Sequence, residues 1–256
     1  MATPPDPGAS SFAEVPMPVL CPAQTRGRLQ QAGIDSVHSF SSAGFVDRNR
    51  MGFGALRVLA EECIAAGTAL PPQRRANMQV LTWVRCGVLA WSDGTASGEV
   101  PGGCVQLLDA GHGIEQVERN PSAEHPVDLV RLWLQPAVLN TAPRRLEGWF
   151  DGTARDGRWQ TLAAGDGDAG DTTDGALPLR LDAQVSVARV RPGEGLAVGV
   201  RPGRRVWLQV LYGDVEIGEQ ALEAGDALAW DREDDPHATI IASQQPAELL
   251  RVELPG

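Results

Sequence analysis

The chain contains no lysine: all 22 basic residues among its 256 are arginines. That absence excludes Schiff-base catalysis, the phosphate-binding lysine of a glycine-rich loop, and lysine general bases. Net charge is -11, so the chain lacks the basic excess that neutralising phosphates requires, and neither nucleic acid nor an anionic membrane is an expected partner. Only four cysteines occur. Cys21, Cys63, Cys86 and Cys104 form no C-x-x-C pair, which excludes a disulfide framework and makes a reducing, cytoplasmic compartment the expectation. No apolar run is long enough to cross a bilayer. The opening stretch MATPPDPGASSFAEVP lacks the basic and apolar regions of a secretory signal, and residues 1–22 are expected to be a flexible arm.

The chain does have 29 glycines and 19 prolines, spread along its length, which predicts many turns and many short strands. MQVLTWVRCGVLAWSDG sets β-branched and aromatic residues around a glycine and ends on the turn pair Asp93-Gly94. VDLVRLWLQP, VWLQVLYGDVEIG, AGDALAWD and ELLRVELPG continue in the same manner. ALRVLAEECIAAG has a spacing that imitates a helix, but it lies among strand-like neighbours. Such punctuation predicts an all-β fold of antiparallel sandwiches or barrels.

There is also an internal echo. RRANMQVLTWVRCGVLAWSDG, followed by EVPGGCVQLLDAG, resembles RRVWLQVLYGDVEIG, followed by ALEAGDALAWD. Each copy gives a strand, a glycine turn, a return strand, a small-residue turn and a further strand. A repeat on this scale is a duplicated domain. It predicts two tandem barrels, over residues 23–145 and 146–256, with the seam in PRRLEGWFDGTARDGRWQ.

Several ordered segments resemble the pirin family, the two-barrel branch of the cupins. They are RGRLQQAGIDSVHSFS (Arg26 to Ser41), DRNRMGFGALRVLAEECIAAG (Asp47 to Gly67), NMQVLTWVRCG, LLDAGHGIEQVERNPS (Leu107 to Ser122) and RRVWLQVLYGDVEI. The resemblance implies two cupin, jelly-roll barrels. It also implies iron or another divalent transition metal in the first barrel, on three histidines and a glutamate. Some members of the family are quercetin dioxygenases and others act through protein partners. Carried over onto this sequence, the ligand positions are Gln73, Arg75, Gln116 and Glu118, so only the glutamate remains. Arginine offers a metal no lone pair, and glutamine offers a weak carbonyl at best.

The altered set has a logic of its own. A carboxylate inside a barrel is costly unless paired, and Arg75 is the expected partner of Glu118, in a two-pronged bond. Gln73 and Gln116 would complete the network. Against this stands the plainer reading, in which Arg75 turns to solvent and Glu118 protonates or meets water. No cofactor is expected at this set. Of the four histidines, His112 alone, in AGHG, is a surrogate ligand candidate, and His112 with Glu118 makes two ligands where three are usual. His38 reads as a structural histidine, and His125 and His237 as exposed turn residues. The acidic GDGDAGDTTDG (residues 165–175) lacks the oxygen ligands of a calcium loop at Gly170 and Leu177, and reads as a solvated hairpin. The cysteines and Trp83, Trp91, Trp133 and Trp207 read as core.

Three functions remain open at this point. One is a binding or regulatory protein whose first-barrel pocket takes a small polar or anionic ligand, or which meets a protein partner. Another is a metal-dependent quercetin 2,3-dioxygenase-like oxygenase. The last is metal-independent catalysis with Glu118 as general base, which needs burial to raise its pKa.

Overall fold

The computed structural model describes residues 18–165, 175–199, 201, 203–231 and 238–256. Its strands, in chain order, begin with β1 (Val19–Cys21), β2 (Gly27–Gln31), β3 (Ile34–His38), β4 (Leu56–Ile64), β5 (Gln73–Arg75), β6 (Gln79–Cys86), β7 (Val88–Ser92) and β8 (Ser97–Pro101). They continue with β9 (Cys104–Asp109), β10 (Ile114–Arg119), β11 (Val127–Leu134), β12 (Arg144–Trp149), β13 (Gln160–Gly165), β14 (Leu177–Leu179) and β15 (Gln184–Val190). The last are β16 (Gly195–Ala197), β17 (Arg204–Tyr212), β18 (Val215–Ile217), β19 (Gln220–Leu222), β20 (Ala227–Trp230), β21 (Thr239–Ala242) and β22 (Ala247–Pro255). The remaining regular elements are two short 3-10 turns. Among the described residues no helix is long and apolar enough to cross a membrane.

The fold is all-β and built twice. A seven-stranded sheet, β12-β9-β6-β11-β4-β3-β2, faces a four-stranded sheet, β5-β10-β7-β8. The second barrel repeats this with β1-β20-β17-β22-β15-β13-β14 and β16-β21-β18-β19. The inner orders match strand for strand, β9-β6-β11-β4 against β20-β17-β22-β15, so the sequence echo is a duplicated cupin barrel. Even the turns agree. Gly87 and Gly213 both have positive φ, and a Cβ on either would sit 2.6 Å from a carbonyl oxygen, of Pro126 and Pro246 respectively. Only glycine fits so close an approach at that φ.

Two expected boundaries shift. Val19–Cys21, assigned to the arm, pairs antiparallel with β20 of the second barrel, and Ala23 N donates to Asp226 Oδ1 at 2.6 Å. The rest of the expected arm, residues 1–17, lies outside the described residues. The seam expected at 145/146 falls inside β12, whose six residues all pair with β9 of the first barrel. That barrel therefore runs to Trp149. ALRVLAEECIAAG forms strand β4.

The two large sheets pack on each other. One buried cluster joins Leu81, Trp83, Leu107 and Leu132 of the first barrel to Val185, Val187, Leu250 and Val252 of the second. Strands of these sheets are covered on both faces, which explains why β6 and β22 are buried almost without interruption. The outer sheets alternate instead, as a half-solvated face requires. A second cluster, with Leu208, Val210, Ile240 and Leu249, fills the second barrel. The first barrel has a smaller cluster, including Ile64, Leu89, Val100 and Leu129. Its interior also holds the buried polar side chains Arg75, Thr82, Gln116, Glu118 and Arg131.

Charge also ties the barrels together. Glu248 of β22 is bonded by Arg85 of β6 at 2.8 Å and by Arg155 at 3.0 Å, and Arg155 lies over the Trp83 ring at 5.1 Å. Removing Glu248 would leave two guanidinium groups at the junction without their shared carboxylate. Glu248→Ala is expected to lower stability by on the order of 3 kcal/mol, read as a lowered melting temperature of the full chain.

Candidate functional site

The alternation of β5 and β10 places the four carried-over positions on one face. Gln73 is half-buried, Arg74 exposed and Arg75 buried, while Gln116 and Glu118 are buried between exposed Glu115, Val117 and Arg119. Register sets their spacing: Gln73 lies opposite Gln116 and Arg75 opposite Ile114. The four side chains therefore point into the first barrel.

The expected Arg75–Glu118 ion pair does not form. Arg131 of β11 holds the carboxylate instead, with Nη1 to Oε1 at 3.0 Å and Nη2 to Oε2 at 2.9 Å. The reason is geometric. Arg75 sits opposite Ile114, four residues along β10 from Glu118, on the order of 13 Å of strand. Arg131 comes from the sheet facing Glu118 across the barrel. Its Nε also bonds Glu62, at 3.1 and 3.3 Å, so one guanidinium is held by two carboxylates. Gln116 completes the network, donating from Nε2 to Glu118 Oε1 at 2.7 Å and accepting from Arg145 Nη2 at 2.8 Å. Arg145 stacks on Trp91 with its Cζ 3.3 Å from the ring centroid.

These contacts set the ionisation of the group. Burial acts to raise the Glu118 carboxyl, but the charges of Arg131 and then Arg75, with the Arg131 hydrogen bonds, hold it below the ordinary glutamate value. Burial likewise opposes the Arg131 charge, and Glu118 and Glu62 overcome it, raising its pKa. A general base at Glu118 needs a raised pKa, so the surroundings oppose that role.

Arg75 is in a different position. It is only 5% exposed, and it donates from Nη2 to Gln73 Oε1. Its Nε and Nη1 are buried with no hydrogen-bond partner, and its Cζ lies 5.2 Å from the Trp133 ring centroid. Burial, then repulsion from Arg131, brings its pKa down to about 10. Neither expected reading of Arg75 holds: it neither pairs with Glu118 nor turns to solvent. It lies in the wall of a cavity of about 470 Å³, with Val58, Glu62, Gln73, Arg131 and Trp133.

His38 also faces this cavity. It is buried, with Ser36 Oγ 2.8 Å from Nε2 and Ser42 Oγ 2.8 Å from Nδ1, a hydrogen-bonded structural histidine as expected. Burial lowers its pKa, against the nearby Glu62 carboxylate. His112 lies exposed in the turn before β10, and among the described residues no hydrogen bond or ion pair joins it to Glu118. His125 is exposed. His237 and residues 166–174 of the acidic stretch lie outside the described residues. The four cysteines are free and none is fully core: Cys86 is exposed, and Cys21, Cys63 and Cys104 are half-buried, Cys21 and Cys104 against core clusters. Trp83 and Trp207 are core, whereas Trp133 lines the cavity.

Sequence reasoning missed Arg131 and Arg145. The signal for Arg131 was one charge in the middle of an apolar strand, VDLVRLWL. A residue there has both neighbours in the core, so a charge needs a partner across the barrel.

Comparison with known proteins places these residues in context. A family model described as Pirin matches residues 22–134, and one described as the quercetinase C-terminal cupin domain matches residues 168–254. The chain is 32% identical over 235 residues to a quercetin 2,3-dioxygenase of Escherichia coli (strain K12), covering 91% of this chain and 96% of that one. It is 32% identical over 233 residues to a pirin-like protein of Caulobacter vibrioides, covering 91% and 97%. Among solved structures it resembles the bacterial pirin YhhW of Escherichia coli in complex with nickel(II). That match has a TM-score of 0.83 and 30% identity over 93% of this chain and 99% of that one.

The Arg131–Glu118 bond makes a test of its own. Because the folded Glu118 pKa is depressed, its contribution is present above the unfolded value near 4.3 and is lost as pH falls through the folded value. Glu118→Gln is expected to cost about 3–5 kcal/mol near neutral pH. The gap to the unaltered protein should narrow as the solution is acidified below about pH 4, measured by urea unfolding.

Proposed function

The chain belongs to the pirin family, and we propose that, unlike the metal site the family implies, its first barrel is a binding pocket without a catalytic metal. It would act by taking up a small polar or anionic molecule, or by engaging a protein partner, rather than by oxygenation. The observation that carries this reading is the state of Glu118, the one ligand position that keeps its residue. Both its oxygens are bonded to Arg131, and one also accepts from Gln116.

The residues present do not fit the metal that the family implies. The donor set is one carboxylate already held by a guanidinium, two amides and an arginine. Redox-active iron favours imidazole and carboxylate donors with open positions. A divalent ion placed here would have to displace Arg131 from Glu118 and would sit near a second buried cation, Arg75. The Arg131 guanidinium instead supplies positive charge to the carboxylate, as the metal would, but has no orbital to bind oxygen and no accessible redox change. Glu118 as general base is not retained, because its carboxyl is held low.

A second reading is an oxygenase that opens quercetin with dioxygen. The names of the relatives and the nickel(II) complex of the structural neighbour favour it. Elemental analysis of protein purified without added metal, then oxygen uptake with quercetin after incubation with iron or nickel, separates the two. The binding reading expects metal well below one ion per chain and no oxygen consumed above the protein-free rate. One tightly held transition ion per chain, with quercetin-dependent oxygen uptake abolished by Glu118→Gln, would overturn it.

A further inference from the structure

The cavity wall contains two arginines in opposite circumstances. Arg131 has a carboxylate on either side, while no carboxylate lies within ion-pair distance of Arg75 among the described residues. Both oxygens of Glu62, the other acid on this wall, lie against Arg131 Nε. Among the described residues of the wall, the buried side-chain atoms without a hydrogen-bond partner are Arg75 Nε, Arg75 Nη1 and Trp133 Nε1. All three are donors. Buried polar groups are nearly always satisfied, and an unsatisfied one in a native protein calls for a ligand, an ion or water. A set made only of donors, one of them a cation, calls for an acceptor carrying negative charge.

The rest of the wall defines the body of that molecule. Trp133 and Val58 present apolar surface beside the cation, and the cavity of about 470 Å³ is in the range of small-molecule sites. Ser41 is already satisfied, donating to Asp47 O at 2.7 Å and accepting from Asp47 N at 2.8 Å. The nearby Glu62 carboxylate disfavours a second negative charge on the ligand.

We infer that the first-barrel cavity takes a small organic monocarboxylate, its carboxylate on Arg75 and Trp133 Nε1, and its aromatic or aliphatic body against Trp133 and Val58. The inference rests on the binding reading above and names the ligand class for that same site. A bound carboxylate would supply the counter-charge that Arg75 lacks and offset the repulsion from Arg131. It also accounts for the presence of a costly side chain. A buried guanidinium with unmet donors weakens the ligand-free fold, and a group that costs stability while facing a cavity is characteristic of a binding site.

The test uses the full chain and calorimetric titration with 2-naphthoate and its neutral isostere 2-naphthamide. The acid is expected to bind at least about tenfold more tightly than the amide. Arg75→Met is expected to remove that preference without lowering the melting temperature of the ligand-free protein. Trp133→Phe keeps a smaller aromatic face but deletes Nε1–H, and should weaken the acid several-fold more than the amide. Should Arg75→Met fail to fold, the acid-to-amide ratio on the unaltered protein and the Trp133→Phe variant decide the matter. Equal binding of acid and amide, binding of neither, or an unchanged preference in Arg75→Met overturns the inference. If quercetin then binds without oxygen uptake, the carboxylate class fails and the metal-free pocket stands. A tightly held transition ion with quercetin turnover overturns the pocket reading, and the carboxylate with it.

Discussion

The buried polar network of the first barrel is arranged around a single guanidinium. Arg131 is buried at the centre of β11, between the core residues Val130 and Leu132, and its three nitrogens meet Glu118 and Glu62. A charge so placed would be prohibitive alone; with two carboxylates and a bidentate geometry the desolvation cost is largely repaid. The bond fixes the large sheet to the small one at mid-barrel, because β11 and β10 belong to opposite sheets. It also sets the ionisation of Glu118, orients Gln116, and through Gln116 holds Arg145 over Trp91.

The duplication shows what is particular to this interior. Arg131 pairs in register with Thr82, five residues before Gly87; Arg251 pairs with Leu208, five residues before Gly213. The two arginines therefore occupy equivalent places in the two barrels. In the second barrel Arg251 bonds the carbonyls of Val198 and Gly199 and the carboxylate of Glu253, beside an interior filled by aliphatic side chains. In the first, the equivalent arginine reaches two carboxylates and borders a cavity. The same backbone position thus closes one barrel and frames an open space in the other, according to whether the facing strand supplies Ile240 and Ala242 or Gln116 and Glu118.

The legible parts of this molecule were those carried by short-range pattern. The motifs of the family resemblance picked out Gln73, Arg75, Gln116 and Glu118 together, the alternation of β5 and β10 then puts them on one face, and the glycine turns at Gly87 and Gly213 marked the repeat. Partners set by long-range register were not legible. Glu118 and Arg131 lie thirteen residues apart in the chain, yet they meet only because β10 and β11 fall in facing sheets. Arg145 was assigned to the seam and turned out to be a site residue on β12. Val19–Cys21 looked like part of an arm because its pairing partner, Ala227–Ala229, lies some two hundred residues away.

The two arginines of the cavity wall bear differently on function. Arg131 has met its electrostatic needs within the chain, so it stabilises the fold and has little to offer a ligand. Arg75 has not: it keeps one amide contact to Gln73 and the face of Trp133. A guanidinium over an indole recovers only a small part of what water provided. A fold can tolerate such a residue when the rest of the barrel over-determines its position, and here β5 is held by β10 while Gln73 restrains the head group. Local consistency is broken at Arg75 and at the adjoining Trp133 Nε1, while Arg131, Glu62 and Glu118 are mutually satisfied. In a well-packed protein, departures of that kind concentrate where the molecule meets something else. The binding reading of this pocket therefore turns on Arg75 more than on Glu118, whose carboxylate is already held by Arg131.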